Sequence, residues 1–373
     1  MLRHIVASVS CLLTGVSAAS AMDYSLTLLP DNTYISKVSG EGRAGVRWQV
    51  RRGEAKAFVW EDGLLTQMRA TNKGDAAWVS GVTDNGYAVG GSTTKPSAGS
   101  LMVNPIMVAW TEGGTPFRIP RLPSSAARGI IAAVSDNGMA VFVPGSGYRL
   151  SSTRPDMAPV VSWRIGTTTL VTAPKAPVPT GHFGLGMIPA DINNAGVIVA
   201  NRMTYDPVAR QHHRDGYVLR PGQDWESLGA ETLYVEAISN TGWIAGWNED
   251  GTGFVIEPDG TRHIIPVDSG TTSAMIAIND DGAALGLSGW MGAGPFIWRG
   301  GVRTQLPRSY PANDGKSFWL TTVRSIDNAG RVYGDGHVAT ERVSYWDLFF
   351  NPPTSNAFVL TPATASASLA GDG

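Results

Sequence analysis

Along this chain, short alternating runs of apolar and small residues are broken at seven places by a four-residue polar turn that ends in glycine. Six copies are clear: Thr83-Asp84-Asn85-Gly86, Ser135-Asp136-Asn137-Gly138, Asn193-Asn194-Ala195-Gly196, Ser239-Asn240-Thr241-Gly242, Asn279-Asp280-Asp281-Gly282 and Asp327-Asn328-Ala329-Gly330. Ser39-Gly40-Glu41-Gly42 is a degenerate seventh. Four residues before each turn glycine stands a β-branched aliphatic: Val38, Val82, Val134, Ile192, Ile238, Ile278 and Ile326. Such side chains suit a buried, pleated strand. The residue before each is mostly small (Lys37, Gly81, Ala133, Asp191, Ala237, Ala277, Ser325), as a crowded innermost strand requires. Asp or Asn near the start of the turn is placed to hydrogen-bond the backbone ahead, and the closing glycine supplies a positive φ. Each copy therefore predicts a hairpin of the type I turn plus glycine-bulge kind. A calcium loop is the competing reading of Asn279–Gly282, but the full twelve-residue loop with its terminal Glu is absent.

A second strand follows each glycine, as in Tyr87–Gly90, Val197–Ala200 and Trp243–Gly246. A third carries two large residues two apart, hence on one face: Phe58 and Trp60, Phe254 and Ile256, Phe296 and Trp298, Phe358 and Leu360. These aromatics are expected to pack between neighbouring sheets rather than to hold a ligand. Tight turns such as Glu61-Asp62-Gly63, Pro258-Asp259-Gly260 and Arg299-Gly300-Gly301 lead into a fourth strand. A four-stranded meander repeated seven times is the signature of propeller blades. They fall at about 33–68, 77–122, 129–172, 188–229, 233–266, 274–307 and 320–361.

The last repeat lacks its fourth strand, and residues 363–373 read as a frayed polar tail. An unpartnered strand, Tyr24–Pro30, precedes the first repeat, and its Leu29-Pro30 ending matches Ile265-Pro266 and Leu306-Pro307. The expected fold is thus an all-β, seven-bladed propeller over residues 22–362, closed when 24–30 completes the last blade. Closure removes the open edges that a linear stack would leave.

Composition agrees. The chain has 45 glycines in 373 residues, too many for long helices. Its formal charge is -2, with 29 basic and 31 acidic residues, which gives no electrostatic reason to bind nucleic acid or an anionic membrane. Arg3 and His4, the apolar run Ile5–Val16 and the small-x-small site Ala19-Ser20-Ala21 read in order as an export signal over residues 1–21. The one cysteine, Cys11, lies inside it, so the mature chain has no disulfide, thiolate or cysteine-bound zinc. No later segment is apolar for long enough to span a membrane as a helix. A soluble, monomeric, periplasmic or secreted protein of a Gram-negative bacterium is expected.

The pattern resembles the HAF-repeat family of extracellular bacterial proteins, named for a His-Ala-Phe triplet in the third strand. The triplet stands here as Lys56-Ala57-Phe58 and Asn356-Ala357-Phe358, without the histidine, and Trp60 and Ile278–Gly282 complete the likeness. The family has no agreed activity, so the resemblance implies location and architecture and no mechanism.

Connections predicted long are Gly91–Asn104, Pro144–Pro159, Asn201–Asp215, Asp335–Ser355, Ala173–Met187 and Arg308–Ser317, all on one face of the disc. Function concentrates on loops held by a rigid scaffold. His182, Tyr205, His212, His213, Tyr310, Tyr345 and Trp346 are the binding candidates there. Asp215, Asp335, Glu341 and His337 are the candidates for acid–base work, although Asp215 and Asp335 fall in roughly opposite blades. Adjacent His212 and His213 do not by themselves make a metal site, and no metal or cofactor is expected. Neither a Gly-x-Ser-x-Gly elbow nor a His-Glu-x-x-His helix is present. Three readings stay open: a binding module for an envelope or extracellular protein or glycan, a secreted enzyme on polysaccharide (hydrolase or lyase), and a structural envelope component.

Overall fold

The computed structural model describes residues 24–50, 54–71, 76–93, 106–119, 129–144, 159–229, 232–266, 272–289, 294–312, 315–340 and 354–363. The expected export signal, nearly all of the expected tail, and Glu341, Tyr345 and Trp346 lie outside the described residues.

Every regular element described is a β-strand, and the strands form seven antiparallel sheets arranged as a propeller. Blade 1 is Thr33–Val38, Ala44–Val50, Glu54–Glu61 and Leu64–Met68. Blade 2 runs from Ala76–Val82 to Pro116–Arg118, and blade 3 from Gly129–Val134 to Leu170–Thr172. Blade 4 is Phe183–Ile192, Ile198–Asp206, Gln211–Leu219 and Trp225–Ser227. Blade 5 is Thr232–Ile238, Ile244–Asn248, Gly253–Ile256 and Arg262–Ile265. Blade 6 runs from Ser273–Ile278 to Val302–Gln305.

Blade 7 has Ser317–Ile326, Val332–Ala339 and Ser355–Pro362, and its fourth strand is Tyr24–Asp31 from the other end of the chain. Leu26 lies opposite Leu360 and Leu28 opposite Phe358. A short extra strand, Ser309–Pro311, pairs with Ser317–Trp319 on the far side of that sheet.

The repeated turn behaves alike in all seven copies. Its first side chain accepts the N–H four residues ahead, as Ser39 does from Arg43 (3.2 Å), Thr83 from Tyr87 (2.8 Å) and Asp327 from Arg331 (2.8 Å). Its glycine lies at φ between 73° and 97° in every copy. Each innermost strand also shifts register two residues before its recurring β-branched position, so that Ser36, Ser80, Ala132, Ala190, Glu236, Ile276 and Arg324 are unpaired bulge residues, and blades 4, 5 and 7 carry a second shift nearer the start of the strand. A bulge bends a strand and strengthens its twist. Seven identical bends let seven strands crowd one axis.

The core is seven cores, one per interface. Trp60 packs with Tyr333 and Val359 where blade 1 meets blade 7, Trp110 with Val59 and Met68 between blades 1 and 2, and Trp163 with Val89 and Met107 between blades 2 and 3. Phe254, Phe296 and Phe358 are fully buried in the interfaces of blades 5, 6 and 7. Each large residue buried in this way contributes roughly 1.5–3 kcal/mol.

Candidate functional site

The two ends of the channel differ. At the tight-turn end, each turn donates one backbone N–H to the turn of the next blade. Glu41 donates to Asp84 Oδ1 (3.0 Å), Asp84 to the Asp136 carbonyl (3.0 Å), and Asn137 to Asn194 Oδ1 (2.8 Å). Asn194 donates to Asn240 Oδ1 (2.9 Å), Asn240 to Asp280 Oδ1 (2.7 Å), and Asp280 to Asn328 Oδ1 (3.0 Å). Asn328 returns the chain of bonds to the Gly40 carbonyl (2.9 Å). The circle is closed. Asp136 also crosses it, accepting from Gly40 N–H (2.9 Å) and Asn240 Nδ2 (2.7 Å). Behind the ring, Lys37 reaches Asp191 at 3.2 Å, and the cavity left among these side chains is about 60 Å³. Burial and the neighbouring Asp84 push the Asp136 carboxyl up to about 6.

On the opposite face, blade 4 rises beyond its neighbour, blade 5. Residues 201–215, expected as a loop, instead prolong two strands: Asn201 pairs with Gly216 and the ladder continues to Asp206 opposite Gln211. Phe183 and Gly184 extend the inner strand beside them. The second strand has nine residues, against five in blade 5, so the arm stands about 13 Å taller at ~3.3 Å per residue. Asp206 caps the tip by accepting the Val208 and Ala209 amides, and these bonds hold its carboxyl below the usual range, with His182 and His213 adding to the effect.

Alternation sorts the arm into two faces. His182, Thr204, Asp206 and His213 share the face toward blade 3, with the two imidazoles 5.3 Å apart and His182 Nε2 3.9 Å from Asp206. Below them Asp215 is bound by Arg202 (2.6 Å), which also donates to the Pro177 carbonyl. Phe183, Tyr205, His212 and Arg214 share the other face, Tyr205 and His212 lying 5.0 Å apart. The Arg214 guanidinium lies over the Tyr234 ring at 4.6 Å. Tyr234 stacks on Trp247 (4.6 Å, 20°), whose indole N–H donates to Glu236 (3.2 Å). Burial raises the Glu236 carboxyl, and that hydrogen bond and Lys37 oppose the rise.

Of the expected site residues, the fold thus gathers His182, Tyr205, His212, His213 and Asp215 on one arm. It does not bring Asp335, His337 or Tyr310 to them, since these belong to blade 7. Asp335, also expected in a loop, is a buried strand residue that accepts Arg324 Nε (2.6 Å) and Ile35 N–H (2.8 Å). Asn201 makes the matching bolt from blade 4 to blade 5, holding both the N–H (2.8 Å) and the C=O (2.9 Å) of Val235. The expectation that 201–215 and the start of 335–355 are loops is therefore corrected: Asn201 and Asp335 are strand residues that tie neighbouring blades together. His337 is buried, which lowers its pKa, with Nδ1 3.2 Å from Thr321 Oγ1. Tyr310 is buried against Phe318 and Leu306, not exposed at a channel mouth. Among the described residues, no group of three or more His, Cys, Asp or Glu is placed to hold a metal ion, and no helix is long and apolar enough to cross a membrane.

Arg214, Tyr234 and Trp247 were not signalled by any motif. Their one trace is positional: Tyr234 stands four residues before Ile238, where blades 1 and 2 also carry half-buried aromatics, Tyr34 and Trp78.

No family model matches the chain, and no curated protein matches it. Among solved structures it is similar to a prolyl endopeptidase from a study of two such enzymes (13% identity, TM-score 0.55), covering 90% of this chain and 50% of that one. The chain thus spans about half of that enzyme's length. It is also similar to the β-propeller domain of the Trilobed protease from Pyrococcus furiosus (10% identity, TM-score 0.50), covering 86% of this chain and 92% of that one. At these identities the likeness shows the fold alone: a seven-bladed β-propeller.

Proposed function

We propose that the chain is an exported binding module that meets an envelope or extracellular partner with the face opposite the tight turns, the blade-4 arm being the main contact. The observation that carries this reading is the asymmetry of the disc. One mouth is sealed by a closed ring of hydrogen bonds and the Lys37–Asp191 pair. The other presents an arm with Phe183 and His212 exposed and Tyr205 half-buried. Half-exposed rings on a rigid support are the usual anchors of recognition surfaces. Both described carboxylates considered for catalysis, Asp215 and Asp335, are held by arginines, which favours binding over chemistry.

The test is retention on immobilised envelope glycans and envelope proteins. A variant with Tyr205–His212 replaced by a two-residue turn should lose retention while keeping its thermal midpoint within a few degrees. Asn85→Lys, on the sealed face, should bind as the parent does. Equal retention of the shortened and parent proteins would overturn the choice of face.

A further inference from the structure

Arg214 is unlike the other well-placed arginines of this protein. Arg202 lies over Tyr217 but is committed to Asp215 and the Pro177 carbonyl. Arg262 lies over Phe254 but donates to Leu228, Thr232 and Asn248. Arg214 lies over the Tyr234 ring at 4.6 Å, half-buried, and no protein acceptor takes any of its N–H groups among the described residues. A guanidinium held over a ring and without protein acceptors keeps its planar fork of donors available, the geometry that receives a carboxylate in two parallel hydrogen bonds. Its surroundings are rings: Tyr234, occupied by Arg214 and the Trp247 stack, then Trp247 itself, and on the same face of the arm the Tyr205–His212 pair with exposed Phe183. The neighbourhood thus offers one free planar cation among aromatic surfaces whose polar atoms lie at their edges.

We infer that this floor between blades 4 and 5 is a receptor for a uronate unit of an acidic glycan, with Arg214, held on Tyr234, taking the carboxylate and the rings of Trp247, Tyr205, His212 and Phe183 taking the pyranose faces. The inference rests on the binding reading above and names its ligand class. Charge complementarity decides between glycans: a neutral sugar would leave the Arg214 fork unanswered, whereas a uronate answers it. Ring complementarity decides against an acidic peptide, whose extended backbone would leave the flat aromatic faces without a matching surface.

The probes are a galacturonate tetramer, the same tetramer with its carboxyls reduced to alcohols, and a glutamate tetrapeptide, titrated into the full chain with Trp fluorescence and calorimetry as readouts. The galacturonate tetramer should bind, and the other two should bind at least tenfold more weakly. Arg214→Gln should weaken galacturonate binding at least tenfold. Arg214→Lys, which keeps the charge and loses the fork, should recover only part of that loss. Tyr234→Leu should weaken both parent and Arg214→Lys. Equal binding of the reduced tetramer, an Arg214→Gln variant as tight as the parent, or a glutamate peptide bound as well as the uronate would each overturn the inference. If galacturonate fails while the shortened arm still loses envelope retention, the uronate receptor falls and the binding face stands. If neither effect is seen, both fall.

Discussion

Lys37 of blade 1 and Asp191 of blade 4 occupy the same position in their repeats, one residue before the β-branched anchor, and they meet across the channel at 3.2 Å. Every other blade has a glycine, alanine or serine there, so the pair has the axis to itself. The Asp191 carboxylate, nearly buried, also accepts the Ile238 N–H at 3.2 Å, which ties blade 4 to blade 5. Removing Lys37 leaves that carboxylate with a single amide. Lys37→Met is expected to cost about 2 kcal/mol, below the full cost of breaking a buried pair because Lys37 is partly exposed. Combining it with Asp191→Asn should cost less than the sum of the two changes. Urea unfolding of the four proteins measures the coupling, and strict additivity would show that the pair is inert.

The degenerate turn is a consequence of the ring. Six turns place Asp or Asn at their second position, and the seventh has Gly40. A Cβ on Gly40 would lie 2.6 Å from Asp136 Oδ2 and 2.8 Å from Asn328 Nδ2. That space is taken because Asp136 crosses the ring to reach the Gly40 amide. Repairing the repeat to its own consensus with Gly40→Asp should therefore destabilise, by roughly 2–3 kcal/mol from crowding and from a carboxylate set against Asp136. Gly40→Ala should cost less. A gain in unfolding free energy on Gly40→Asp would contradict the crossing contact.

Much of this architecture is written plainly in the chain. Val38 to Ile326, the turn glycines and the Leu29-Pro30 ending carry one period and one phase, because each must face a neighbouring blade. Residues 201–215 were harder to read for a physical reason. An arm outside the disc need not alternate apolar with polar, so Arg202, His212, His213, Arg214 and Asp215 look like a loop while forming a ladder. The bulges at Ser36, Glu236 and Arg324 are equally silent, since an unpaired residue makes no demand on side-chain type. Arg214 on Tyr234 joins two blades and has no expression in local sequence.

Asp136 makes stability depend on pH in a direction opposite to ordinary acid unfolding. Its carboxyl is raised from the ordinary 3.8 to about 6 by burial, with Asp84 and Asp280 adding and the Gly40 and Asn240 hydrogen bonds opposing. A carboxyl raised in the folded state binds its proton more tightly there than in the unfolded chain. Its contribution is therefore full below pH ~4 and is lost as pH rises through ~6. Two pH units correspond to nearly 3 kcal/mol, and partial exposure reduces this to about 2 kcal/mol. Asp136→Asn should remove that contribution, so the stability difference between parent and variant should change by this amount from pH 4 to pH 7. A pH-independent difference would show that Asp136 titrates normally.

Closure of the ring by Tyr24–Asp31 is expected to govern solubility as well as stability. Leu29 is buried between blades 7 and 1 beside Val359 and Val46, and Asn356 donates to both the Leu29 carbonyl (3.3 Å) and Asp31 (2.8 Å). Leu29→Ala should cost about 2–4 kcal/mol. Removing residues 24–31 should do more, because it bares the edge of Ser355–Pro362 to pairing with other chains. Light scattering of the truncated protein should rise with concentration, and a monodisperse truncated monomer would show that the strand is dispensable.

Asp335 separates a structural carboxylate from a catalytic one. Its two oxygens have different duties, Oδ1 accepting the Ile35 N–H of blade 1 and Oδ2 accepting Arg324 Nε. Burial raises its carboxyl, with Arg324 and the Ile35 amide opposing. Asn201 shows what the position requires, because an amide performs the same bolt between blades 4 and 5. Asp335→Asn should then keep the Ile35 bond, lose only the partly exposed Arg324 pair, and cost about 1 kcal/mol. Asp335→Ala should cost about 3 kcal/mol, since it strips the Ile35 amide and the Arg324 guanidinium of their acceptor together. A general acid or base would instead give no ranking in function, with both variants equally dead in a turnover assay whatever their stability. Unfolding curves for the two variants, read beside retention on the ligand, therefore decide whether Asp335 is a bolt or a reagent, and equal destabilisation by Asn and Ala would sink the bolt.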